Sequence, residues 1–128
     1  MSAETPLLRY VVLRHAGVEQ PHFDLLFETS PGSILKTWRL ESWPVREVQE
    51  AQPIRDHRPA FLTYQGALTG DRGTVLRVDE GTCHVEVSGT RLVARLYPSE
   101  QQLRFEQQPG SQTWFVRLEE DPKPPLGA

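Results

Sequence analysis

Between Arg9 and Glu119, apolar side chains recur at alternate positions in short runs, the spacing of strands that cover one face. Arg9–His15 (RYVVLRH) and His22–Glu28 (HFDLLFE) read as two such strands joined by the loop Ala16–Pro21. In the second, Phe23, Leu25 and Phe27 share one face, and His22, Asp24, Leu26 and Glu28 share the other. Ser30-Pro31-Gly32-Ser33 is a turn, which makes Ile34–Leu40 the return strand of a hairpin. Glu41–Arg58 is the least regular interval, and Arg46–Gln52 has room for one or two helical turns before Pro53 stops them. Ala60–Gln65, Gly73–Asp79, Thr82–Ser88, Thr90–Tyr97, Gln102–Gln107 and Thr113–Glu119 complete the alternating series. Thr69–Gly73, Asp79-Glu80-Gly81, Ser88-Gly89 and Pro109-Gly110-Ser111 supply the reversals.

Successive short strands with tight connections pair antiparallel, and a sheet of about eight strands removes its exposed edges by closing on itself. The expected fold is therefore all-β: a small closed or partly closed antiparallel β-barrel of about eight strands, with at most one or two short helices. Residues 9–120 carry this pattern, residues 1–8 form an N-terminal extension, and the proline-rich 121–128 (DPKPPLGA) has little to bury and reads as a flexible tail. At 128 residues one core suffices, and 38% hydrophobic content excludes wholesale disorder.

The opening residues Met1–Pro6 show neither a basic nor an apolar targeting region, and no run approaches the ~20 apolar residues of a membrane helix. The expectation is a cytoplasmic monomer without membrane contact. The single cysteine, Cys83, excludes an internal disulfide and a multi-cysteine zinc site, and its strand setting makes it a small core residue. A net charge of −3 argues against coating nucleic acid by charge alone. Of the 14 cations all but Lys36 and Lys123 are arginine, whose planar fork suits phosphate or carboxylate; codon usage in a GC-rich genome gives the same skew.

His22 and Asp24, at i and i+2 of one strand, leave the same face and converge. His15 ends the preceding strand, and the short loop can bring it beside them, giving two imidazoles and a carboxylate with coordination positions to spare. This mixed nitrogen and oxygen set suits Mn²⁺, Fe²⁺ or Zn²⁺ rather than a closed structural zinc. With Phe23, Leu25 and Phe27 on the packed side, the pair faces either solvent or a polar barrel interior, and only the second makes a site. Trp38, Trp114, Phe27 and Phe105 sit at alternate strand positions and read as core rather than as base-stacking platforms.

Tyr10–Glu28 (YVVLRHAGVEQPHFDLLFE), Leu35-Lys36-Thr37-Trp38, Asp56-His57-Arg58-Pro59 with Tyr64-Gln65-Gly66, Gly73-Thr74-Val75 and Gly89-Thr90-Arg91-Leu92 follow one another in a characteristic order. In that order the chain resembles, from about Arg9 to Glu119, the 3′-phosphoesterase domain of bacterial DNA ligase D. The resemblance implies a compact β-barrel that uses Mn²⁺ to remove 3′-terminal ribonucleotides and 3′-phosphates from primer ends in DNA end repair. A separate DNA ligase or polymerase would be its partner. It implies His15, His22 and Asp24 as metal ligands and His57 as the histidine that contacts phosphate, the four together forming the catalytic set.

The departures are specific. The family has an arginine where this chain has Leu26 and a tyrosine where it has Phe61; Leu13 replaces a glutamine, Ser42 falls near a lysine, and the loop between His15 and His22 is one residue longer. Metal binding survives such changes better than phosphate recognition. Arg14, Arg39 and Arg55 lie near the matched segments as candidate replacements for the lost phosphate contact. Two functional readings follow: a 3′-phosphoesterase of weak activity, and a catalytically degenerate module that binds metal or nucleic-acid ends. A third, a non-haem iron oxygenase, arises because two histidines and a carboxylate also form that facial triad, with His22, Asp24 and His57 in similar order.

Overall fold

The computed structural model describes residues 7–119. Its strands are β1 (Leu8–Ala16), β2 (His22–Glu28), β3 (Leu35–Leu40), β4 (Gln49–His57), β5 (Gly66–Ala67), β6 (Thr74–Ser88), β7 (Arg91–Tyr97), β8 (Gln102–Gln107) and β9 (Trp114–Glu119), and one 3₁₀ turn spans Pro59–Leu62. All pairings are antiparallel, in the order β1-β2-β3-β4-β9-β8-β7-β6, and β6 returns to β1, so eight strands close into a barrel. The short β5 adds to β6 outside the ring. The expected all-β barrel is the fold. Leu8 already belongs to β1 and is buried, and the expected tail at 121–128 lies outside the described residues. Among the described residues no helix is long and apolar enough to cross a membrane.

Alternation fills the interior. Tyr10 and Val12 of β1, Leu25 and Phe27 of β2, Trp38 of β3 and Phe105 of β8 meet in one buried cluster to which every strand of the ring contributes. Trp38 stacks on Phe105 at 4.7 Å and meets Trp114 edge-on at 5.2 Å, so these aromatics are core, as their spacing indicates. Cys83 is fully buried among them; burial, with the charge of Glu28 adding, pushes its thiol up to about 12.

Three stretches differ from their sequence reading. Arg46–Gln52 forms no helical turn; β4 begins at Gln49 because Val45 and Ala51 are drawn into the core and Ala51 pairs with both Leu40 and Trp114. Pro53 continues the strand, since it lies beyond Ala51, the last β4 residue paired with β9, and has no ladder bond there to forfeit. Ala60–Gln65 is not a strand: Pro59 starts a 3₁₀ turn, closed by Phe61 N–H donating to the Arg58 carbonyl, which folds Leu62 onto the outside of the barrel.

The third stretch is Asp79-Glu80-Gly81, which reverses nothing. Thr74–Ser88 is one long strand, and Gly81 lies within it opposite Tyr10. A Cβ at Gly81 would stand 1.9 Å from the Tyr97 carbonyl oxygen and 3.0 Å from the Tyr10 ring, so glycine serves close approach rather than a turn. Gly81→Val should accordingly cost roughly 3 kcal/mol in urea unfolding. With its thiol raised so far, Cys83 should resist a disulfide-exchange reagent at pH 8 in the folded protein and react promptly in denaturant.

Candidate metal centre

Several side chains of β1 and β2 that point away from the interior are also buried. Val11, Leu13 and Leu26 form a second cluster with Leu35, Leu62 and Val75, against which Phe61 and Leu68 pack. The chain between β4 and β6 thus lies over the outer face of β1, β2 and β3. His15, His22 and Asp24 have the same strand parity as Leu13 and Leu26, and therefore stand on this covered outer face. The sequence alternatives were open solvent or a polar interior. The structure shows a third arrangement, because an external segment roofs the outside of the sheet.

Register brings the three together. His15 is the cross-strand partner of His22, and Leu13 that of Asp24. His15 Nδ1 lies 3.2 Å from His22 Nε2, which lies 3.4 Å from Asp24 Oδ1, and the candidate ligand atoms all fall within 4.8 Å of one another. His15 and His22 are half-buried and Asp24 is 3% exposed. This group can hold a metal ion.

The remaining ring nitrogens fix one proton on each ring. His15 Nε2 is 2.6 Å from the Arg72 carbonyl and His22 Nδ1 is 3.0 Å from the Gln20 carbonyl. A carbonyl only accepts, so each of these nitrogens carries hydrogen and donates it. With neutral rings, His15 Nδ1 and His22 Nε2 then present lone pairs to each other and to the Asp24 carboxylate. Asp24 Oδ1, although buried, accepts no hydrogen bond among the described residues. In that state three electron-rich atoms face one another and repel unless a metal cation, or a second proton on one ring, sits between them. Backbone carbonyls on the far ring nitrogens are the usual means of orienting metal-binding histidines.

Gly73 makes one of those carbonyls available. At φ +86° its Cβ position is 2.2 Å from the Ala16 carbonyl oxygen, so only glycine lets the chain after Arg72 press against the end of β1. The Arg72 side chain folds back on Thr69, donating to its carbonyl at 2.7 Å and its hydroxyl at 2.9 Å. The sequence marks Gly73 as a turn glycine and gives no hint of the Arg72 contact, which requires knowing that two distant loops meet.

Arg39 is directly opposite Asp24 on β3, its Nε 3.7 Å from Asp24 Oδ1. With His15 and His22 it lines an open cleft of about 870 Å³, whose other walls include Glu19, Glu41, Glu50 and Gln52. His57 stands on the same outer face but is not in the group. Its Nδ1 is 2.9 Å from Thr37 Oγ1 and 3.0 Å from the Arg55 carbonyl, and Thr37 Oγ1 donates to the Leu35 carbonyl at 3.1 Å. His57 Nδ1 is therefore a donor, and Nε2 has no partner among the described residues.

Between His57 and the three ligands lies the cross-strand pair Leu26 and Thr37, both fully buried. The ring of Phe61 meets His57 edge-on at 5.1 Å. An iron triad of His22, Asp24 and His57 would need His57 at the centre, where the structure places His15. Arg14 is exposed on the opposite face of β1 from His15, and Arg55 is exposed on β4 outside the cleft.

Two outcomes follow from this geometry. In ¹⁵N-resolved NMR of the metal-free protein, the neutral rings should show the Nε2–H tautomer for His15 and the Nδ1–H tautomer for His22; the reverse pair would contradict the proton assignment. Gly73→Ala, by displacing the Arg72 carbonyl, should weaken Mn²⁺ affinity roughly tenfold in an electron-paramagnetic-resonance titration. No protein-family model and no curated protein matches the chain, and the chemistry is read from the converging side chains themselves.

Proposed function

We propose that this barrel is a metal-dependent phosphoesterase of the DNA ligase D 3′-phosphoesterase type, weak in turnover, that trims 3′ ends of DNA or RNA-primed DNA during end repair. The observation that carries the reading is the convergence of His15 Nδ1, His22 Nε2 and Asp24 Oδ1, with both histidines held by backbone carbonyls. Mn²⁺ is the ion this set and the family likeness favour. When bound, a divalent cation supplies Lewis acidity toward a phosphoryl oxygen and lowers the pKa of a water.

The chain's own residues supply the rest. His15, His22 and Asp24 bind; the Arg72 and Gln20 carbonyls orient the two rings. The family likeness gives the phosphate contact to His57, which is anchored through Nδ1 on Thr37 and the Arg55 carbonyl and stands outside the cleft; in its protonated form it would neutralise charge or protonate the leaving oxygen. A separate ligase or polymerase would take over the trimmed end.

A second reading, a metal-holding or end-binding module without turnover, is favoured by one specific observation. Leu26 occupies the place of the family's arginine and is fully buried in the outer apolar cluster, so that side of the site is dry and uncharged. Loss of one such charged contact typically costs ~100-fold in rate. The purified protein with Mn²⁺ should release phosphate slowly from a 3′-phosphorylated primer. His22→Ala should stop the release and lower Mn²⁺ affinity by more than the roughly 10–100-fold of an outer-shell loss. Metal and primer binding without any release selects the module; absence of metal binding rejects both.

A further inference from the structure

We propose that Arg39 grips the phosphate at this centre, and that the ligand it fits is a terminal phosphomonoester dianion rather than an internal phosphodiester. This rests on the metal-centre reading above and adds the cation that stands in for the arginine absent at Leu26. Of the arginines near the site, Arg14 leaves the opposite face of β1 and Arg55 lies outside the cleft, whereas Arg39 lines it beside His15 and His22. Arg39 reaches the centre from β3, the neighbouring strand, along the row that pairs it with Asp24.

The contact it makes at present does not use its fork. Arg39 Nε faces Asp24 Oδ1 at 3.7 Å, beyond hydrogen-bond reach, and is buried without a hydrogen-bond partner among the described residues. Among the described residues no other ion pair or hydrogen bond holds the guanidinium, and the side chain, 41% exposed, lines the cleft. A buried aspartate draws Arg39 to the centre but leaves its terminal N–H groups unspent. Once Asp24 is committed to a divalent cation, that fork is free to take an oxyanion in the bidentate manner guanidinium favours.

Charge sets the ligand class. The cation and Arg39 together outweigh the single negative charge of Asp24, which suits a dianion. Glu19, Glu41 and Glu50 line the remaining walls and repel further phosphates along a chain. A terminal monoester presents its charge at the centre and nothing beyond it, whereas a diester within a strand forces its neighbours against those carboxylates.

The test compares the full-length protein with Arg39→Ala and Arg39→Lys in two separate measurements. Mn²⁺ affinity is read by electron paramagnetic resonance; inorganic phosphate and dimethyl phosphate are then titrated calorimetrically into Mn²⁺-saturated protein. Arg39→Ala should keep Mn²⁺ affinity within about fivefold, as for a partly exposed ion pair, and bind inorganic phosphate roughly tenfold or more weakly. Arg39→Lys should recover part of the loss, and dimethyl phosphate should bind the intact protein far more weakly than inorganic phosphate. Unchanged phosphate affinity in Arg39→Ala overturns the proposal, as does collapse of its Mn²⁺ affinity, which would make Arg39 a support for Asp24 only. Equal binding of the two phosphates overturns the ligand class. An intact protein that holds Mn²⁺ but not phosphate defeats this inference alone; one that holds no Mn²⁺ defeats the metal centre as well.

Discussion

The antiparallel register between β1 and β2 is the constraint on which everything else depends. Because side chains alternate across a sheet, a slip of one residue would send His22 and Asp24 into the barrel and expel Phe23, Leu25 and Phe27. Burial on both faces forbids the slip. Leu25 and Phe27 fill the interior while Leu26, between them, fills the outer cluster with Val11 and Leu13. The far end of β2 is pinned by Glu28, a nearly buried carboxylate that accepts the Arg9 N–H at 2.7 Å and the Gly32 N–H at 2.8 Å. One side chain thereby ties β1, β2 and the following turn together and fixes His15 opposite His22 at the other end.

The roof over the outer face turns that register into a chemical site. An ordinary barrel exterior leaves polar residues in water, where three such groups would simply be hydrated. Here the chain after β4 lays Phe61, Leu62 and Leu68 across β1 and β2 and then delivers the Arg72 carbonyl to His15. Removal of water raises the electrostatic cost of an unpartnered carboxylate, and Asp24 Oδ1 carries that cost unless a cation accompanies it. Arg39, a metal ion and a protonated His22 ring are the cations within reach, and the first two link anion binding to metal binding through one aspartate.

Much of this was legible in the residues. Alternation marked β1, β2, β3 and the later strands, and the Ser30–Ser33 turn made the β2–β3 hairpin readable; counting back in step from that turn places Arg39 opposite Asp24. The convergence of His15, His22 and Asp24 needed only strand parity and a short loop. What escaped was set by distant contacts. Asp79-Glu80-Gly81 has turn composition, yet the approach of the Tyr97 carbonyl, not a reversal, demands the glycine. Ala60–Gln65 alternates like a strand, but its apolar residues roof an outer face that no single-strand pattern reveals. Strand parity sets the centre opposite Phe23, Leu25 and Phe27; that this face is covered rather than hydrated follows from the roof and is not legible in the sequence.

The central claim is that three lone pairs meet around one cation. Its most direct test is anomalous diffraction from crystals of the protein soaked in Mn²⁺. A manganese peak bonded to His15 Nδ1, His22 Nε2 and an Asp24 carboxylate oxygen is the result this account predicts. A peak on the Glu19, Glu41 and Glu50 walls alone, or rings turned away from Asp24 with no metal between them, would contradict it.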